Sequence, residues 1–98
     1  MKLIDSIVGL DKKAKHAERV LSQPAYDIVQ IHMKKNEVIS THHAKEETLI
    51  IVRTGNVRFV VEDETVVLTN AQILQMEPYE KHSLEAIEDT DLILVKIK

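Results

Sequence analysis

From residue 26 to residue 98 the chain is cut into short β-rich runs by turn signals that recur every eight to twelve residues. The runs read YDIVQIHM (26–33), EVISTHH (37–43), TLIIVR (48–53), VRFVV (57–61), TVVLT (65–69), ILQM (73–76), HSLEAI (82–87) and LILVKIK (92–98). Between them stand KKN, TGN with Gly55 free to take positive φ, the polar EDE of a tight hairpin, Pro78, and the acidic EDTD. No gap among them is long enough for a crossover helix, so the strands must pair antiparallel. Short strands with such spacing make a β-sandwich or barrel. The expected class is all-β.

The first third reads less clearly. DKKAKHAERVLSQ (11–23) has good helix formers, with Ala14, Ala17 and Leu21 on one helical face and Pro24 to stop it. A short strand over 17–21 competes, and the pattern alone does not separate the two.

Ninety-eight residues make one domain, divided here into an arm (1–25) and a barrel (26–98). The chain has no cysteine, which excludes disulfides and thiolate metal sites. It has no apolar run of the roughly 20 residues a membrane span requires. A soluble, cytoplasmic protein with no membrane partner is expected. The net charge is −3 and the charges are interspersed, with lysines 12, 13 and 15 forming the one basic cluster. Aromatic residues are limited to Tyr26, Phe59 and Tyr79, too few for a base-stacking platform, so no nucleic-acid partner is expected. Neither a G-x-S-x-G elbow nor a glycine-rich phosphate loop is present. His16, Arg53 and Arg58 read as exposed, and Met33 and Met76 as core filling.

The stretch STHHAKEE (40–47) concentrates ligand-type residues. On a regular strand, neighbours face opposite ways, so His43 faces away when His42 faces in. Glu46 shares parity with His42 and Glu47 does not, but residues 44–47 read as a loop, where parity fails. His82 opens a later strand. His32 alternates with Ile31 and Met33 and so lies on the face opposite to theirs, beside Gln30 and Ile28. It either lines a cavity or faces solvent.

The order and spacing of these elements over 26–98 resemble a small single-domain cupin of the RmlC-like type, an antiparallel jelly-roll β-barrel. The family's first motif is Gly-x5-His-x-His-x3–4-Glu-x6-Gly. Gly55 fits its last glycine and His42 its first histidine, while Ala44, Thr48 and Asn36 stand at the second histidine, the glutamate and the opening glycine. Asn36 also tolerates left-handed geometry. In the second motif, Gly-x5-Pro-x-Gly-x2-His-x3-Asn, His82 fits the histidine, and Ala71, Glu77, Tyr79 and Ala86 replace the glycines, proline and asparagine.

A metal-binding cupin supplies three histidines and one carboxylate or amide, donors that suit Fe(II), Mn(II), Ni(II), Cu(II) or Zn(II). Two of the four positions keep a ligand here, His42 and His82. The expected ligand-binding residues are His42, His82, Thr48, His32 and Tyr79, around a small polar molecule in the barrel cavity. The alternative is a metal-dependent oxygenase or isomerase in which His42 and His82 recruit His43 and Glu47 (or Glu46) to hold a divalent transition metal. A domain that mediates only protein contacts would instead show an apolar patch and no polar cavity. The resemblance also implies a homodimer with N-terminal strands exchanged or paired, and MKLIDSIVGL (1–10) is apolar for a terminus.

Overall fold

The computed structural model describes residues 1–6 and 14–98. Among them lie nine strands and no helix: β1 (Lys15–Ser22), β2 (Tyr26–Met33), β3 (Val38–His42), β4 (Glu47–Thr54), β5 (Val57–Val61), β6 (Glu64–Leu68), β7 (Ile73–Met76), β8 (His82–Ala86) and β9 (Thr90–Ile97). They form two antiparallel sheets. Sheet A runs β1-β2-β9-β4-β7 and sheet B runs β3-β8-β5-β6. This is the jelly-roll arrangement expected, with the barrel strands close to where the apolar runs placed them.

The region 11–23 is a strand over its described part; residues 11–13, like 7–10 of the terminal arm, lie outside the described residues. β1 lies along the edge of β2, pairing Lys15 with Met33 through to Ser22 with Asp27, with a bulge between Arg19 and Leu21. Helix propensity in this stretch is a weak bias. The open edge of β2 offers a row of main-chain donors and acceptors that a ninth strand satisfies.

The core lies between the inner faces. Ile31, Met33, Ile50, Val52, Met76 and Leu92 come from sheet A, and Val57, Phe59, Leu68, Leu84 and Ala86 from sheet B. Both methionines are core, as expected. On the outer face of sheet B, Arg58 pairs with Glu85 at 2.7 Å across β5 and β8. The two-residue turn after Val61, which pairs with Glu64, makes the expected hairpin with Glu62 at φ +52°. Gly55 takes φ +85° and Asn36 φ +74°. Among the described residues, no helix is long and apolar enough to cross a membrane.

Candidate functional site

The two sheets are joined at one end by the loop 43–46, from β3 to β4, and by the turn 77–81, from β7 to β8. The starts of β2, β4 and β8 and the ends of β3, β7 and β9 gather there. His42 and His82 are at this end. β8 sets His82 on the inner face by simple alternation with Leu84 and Ala86, all three buried. β3 needs a bulge to do the same for His42. Ile39 pairs with Leu84 and His42 with His82, so three steps on β3 oppose two on β8. The extra residue turns His42 onto the same face as Ile39.

The two imidazoles meet edge to face, with centroids 4.1 Å apart and planes at 63°. Each ring is anchored in the same way. His42 Nδ1 donates to the Ser40 carbonyl at 2.9 Å, and His82 Nδ1 donates to the Glu80 carbonyl at 3.1 Å. A carbonyl only accepts, so Nδ1 carries the proton, and in the neutral ring Nε2 keeps its lone pair. The site therefore offers two fixed acceptors side by side. Burial holds the His82 pKa below the ordinary value of 6.5, and the neighbouring His42 and Lys96 act in the same direction against the Glu80 carbonyl.

Behind the pair lies the barrel interior, walled by Ile31, Ile39, Ile50, Phe59, Leu92 and Leu94, with a cavity of about 30 Å³. That is room for one or two water molecules. At the same end, a groove of about 780 Å³ opens to solvent between Asp27, Lys45, Glu46, Glu47, Pro78, Ile97 and Lys98. The Asp27 carboxylate in it is fully engaged. It accepts from the Ser22 hydroxyl at 2.6 Å and pairs with the Lys98 ammonium at 2.9 Å, and these bonds hold its pKa below the usual carboxylate value.

The other expected site residues separate. Thr48 is buried on the inner face, in line with Ile50 and Val52, but its hydroxyl donates to the Glu46 carbonyl. Tyr79 is 64% exposed at φ +68°, with its amide bonded to the Ala44 carbonyl, so it shapes the turn and does not line the interior. His43 is exposed beside the Tyr79 ring, at 6.1 Å between centroids. Glu47 is on the outer face of sheet A, where it accepts from Gln75 at 2.8 Å. Neither His43 nor Glu47 joins His42 and His82, and among the described residues no group of three or more metal-type side chains comes together. The three-histidine, one-carboxylate set implied by the cupin motifs does not fit these residues.

His32 lies apart from the pair, on the face that its alternation with Ile31 and Met33 assigns it. Ile31 and Met33 take the inner face, which leaves His32 on the opposite side of sheet A from the His42–His82 pair. There it accepts from Gln30 Nε2 at 2.8 Å and lies 3.8 Å from Asp91. Arg53, expected as a free surface charge, pairs with Asp91 and donates to Ser6 Oγ and the Ser6 carbonyl, at 2.7 Å each. Burial lowers the His32 pKa, against the pull of Asp91.

A pH dependence follows. His82 and His32 both hold protons less well in the folded chain than when unfolded. Their contribution to stability is therefore complete above the ordinary histidine value of 6.5 and is lost as pH falls below it toward the folded values. In thermal melts from pH 8 to pH 5, the midpoint falls on the acid side, and falls less steeply in His82→Gln. Equal slopes for the two proteins would refute this account of His82.

The sequence profile of the AraC-like ligand binding domain family matches residues 28–95. No curated protein sequence matches the chain. Among solved structures, an RmlC-like cupin family protein with a double-stranded β-helix fold from Methanocaldococcus jannaschii superposes with a TM-score of 0.84 at 18% identity, over 99% of this chain and 90% of that one. A conserved Streptococcus pyogenes protein of unknown function gives 0.80 at 18% identity, covering 100% and 96%. Salicylate 1,2-dioxygenase from Pseudoaminobacter salicylatoxidans gives 0.80 at 18% identity, covering 86% of this chain and 25% of that one. At these identities the likeness is one of fold. With the profile spanning most of the barrel and the two sheets in jelly-roll order, the chain is a small cupin domain and belongs to the AraC-like ligand-binding domain family.

Proposed function

We propose that this domain binds a small polar molecule at the end of the barrel where His42 and His82 meet. The observation that carries this reading is the anchored histidine pair. Two Nε2 lone pairs, fixed by hydrogen bonds on the far side of each ring, suit a ligand that presents hydroxyl or N–H donors. The ligand-binding family points the same way. The interior is too small for such a molecule, whereas the 780 Å³ groove at the same end is within the usual range for ligand sites. The reading places the head of the ligand on the histidines and its body in the groove, between Lys45 and Glu46.

The test is side-chain 15N NMR of the histidines during titration with a fragment set of neutral polyols and hydroxy acids. Binding moves the Nε2 signals of His42 and His82 together and leaves His32 unmoved. Perturbations confined to other residues would remove the assignment.

The metal-dependent alternative rests on the same two nitrogens. Imidazole suits zinc, copper, nickel and iron, but a resident ion normally takes at least three protein ligands. Elemental analysis of untagged protein purified without chelators, beside His42→Ala/His82→Ala, separates the readings. The expected result is well under one transition metal per chain, unchanged in the double variant. One metal per chain, lost in the variant, would favour the alternative.

A further inference from the structure

The last strand carries a positive charge to the mouth of the barrel. Along β9, alternation sets Leu92, Leu94 and Lys96 on one face. Leu92 and Leu94 wall the small interior cavity, and Lys98, two residues beyond Lys96, lines the groove outside. Lys96 therefore stands between the cavity and the groove. Register gives the same position. Its Cα partners are Thr48 on β4, buried on the inner face, and Asp27 on β2. Its ammonium is close enough to His82 to disfavour a proton on that ring. Lys96 is half-buried, yet among the described residues it forms no ion pair and no side-chain hydrogen bond. Acids at this end are engaged elsewhere: Asp27 by Ser22 and Lys98, Glu47 by Gln75, and Glu80 by the Glu77 amide.

We propose that Lys96 selects the ligand's charge, and that the ligand is a small hydroxy acid carrying a single carboxylate. The inference rests on the reading that the histidine pair binds a polar molecule, and it adds the chemical class. The two Nε2 lone pairs only accept, so they take hydroxyl protons. An ammonium only donates, and a carboxylate gives it the stronger, charge-assisted bond. A compact molecule with hydroxyls and a carboxylate satisfies both. Leu94 along the strand and Thr48 across it keep water from one side of Lys96, which strengthens the attraction. A neutral polyol would serve the histidines and leave the ammonium to water. The surrounding charges also set an upper limit. The groove is lined by Lys45 and Lys98 against Asp27, Glu46 and Glu47. Lys96 brings these to balance, so a second negative charge on the ligand would stand unmatched near Glu46.

The experiment titrates the full chain with glycerate, glycerol and glycerol 3-phosphate at about pH 8, where the phosphate is a dianion. Affinity is read from the histidine side-chain 15N signals. Glycerate moves the Nε2 signals of His42 and His82 and binds about 10-fold tighter than glycerol, the worth of one hydrogen bond between charged groups. Glycerol 3-phosphate binds more weakly than glycerate. Lys96→Met, which keeps an unbranched apolar stem and loses the charge, binds glycerate no better than glycerol. Lys96→Arg retains the preference, and so does Lys81→Met, which removes an exposed lysine from the turn before β8. Equal affinities for glycerate and glycerol, or a preference that survives Lys96→Met, would overturn this proposal and leave the histidine site standing. Tighter binding of glycerol 3-phosphate would overturn the single-carboxylate class. Silence of both histidines toward every probe would overturn the site itself, and this proposal with it. The wild-type comparison decides even if Lys96→Met fails to fold.

Discussion

Phe59→Ala lowers the unfolding free energy by about 3–5 kcal/mol, the range for deleting a buried aromatic ring. Phe59 is the largest of the fully buried side chains and is 1% exposed. It sits on β5 between Val66 of β6 and Leu84 of β8. From there it reaches the centre of the sandwich, where it walls the small cavity with Ile50 and Leu92. Two rigid sheets cannot close over the space the ring vacates, so the cavity term adds to the lost transfer energy. A domain of this size has about 5–15 kcal/mol in total, and the variant is left marginal. Urea titration at fixed protein concentration shows the midpoint falling with little change in slope. A loss below about 1.5 kcal/mol would mean that the sheets collapse onto the gap and the core is not organised around this ring. The enlarged cavity is also apolar, so the variant binds an apolar probe such as benzene that the wild type excludes.

Gly55→Ala is the second large effect. The residue sits in the connection between β4 and β5 at φ +85°, where an L side chain is strained by about 1–2 kcal/mol. Space adds to this. A Cβ at this position meets the Asp89 carbonyl oxygen, the Thr90 hydroxyl at 2.6 Å and the Thr90 Cα at 2.9 Å. Two of the three are backbone atoms of the turn into β9, the strand between β2 and β4. The single proton of the Thr90 hydroxyl is shared between the Asn56 and Glu88 carbonyls, at 3.0 and 2.8 Å, so moving it disrupts the contact that ties the two turns together. The expected loss is about 3 kcal/mol, strain and displacement together. The same denaturation experiment reads it, and a loss under 1 kcal/mol would show that the turn rearranges freely.

Gly55 was legible because a glycine between two β-branched runs has few other uses. Asn36 was legible as a residue tolerant of left-handed backbone. Tyr79 was not. It takes φ +68° where the cupin motif has a glycine, so the turn keeps its geometry after losing the residue type that announces it. The hydrogen bond from its amide to the Ala44 carbonyl holds the conformation and joins the turn to the loop carrying His43. A pattern of residue types cannot register that substitution.

The barrel strands, their antiparallel pairing and the inward face of most of them were legible in the chain, as were His42 and His82 as the histidines that keep the cupin pattern. Period-two alternation and turn residues are local properties, and residues 26–98 carry them plainly. Tertiary structure decided what depends on distant partners. The free edge of β2 made 15–22 a strand. The bulge opposite His82 brought His42 to within 4.1 Å of it. The packing of Phe59 and the aliphatic residues against one another closed the interior to about 30 Å³ and left the groove outside as the larger space. Asp91, across the sheet from His32, bound Arg53. Cavity volume, bulges and long-range ion pairs arise from contacts between residues far apart in the chain, and local pattern has no access to them.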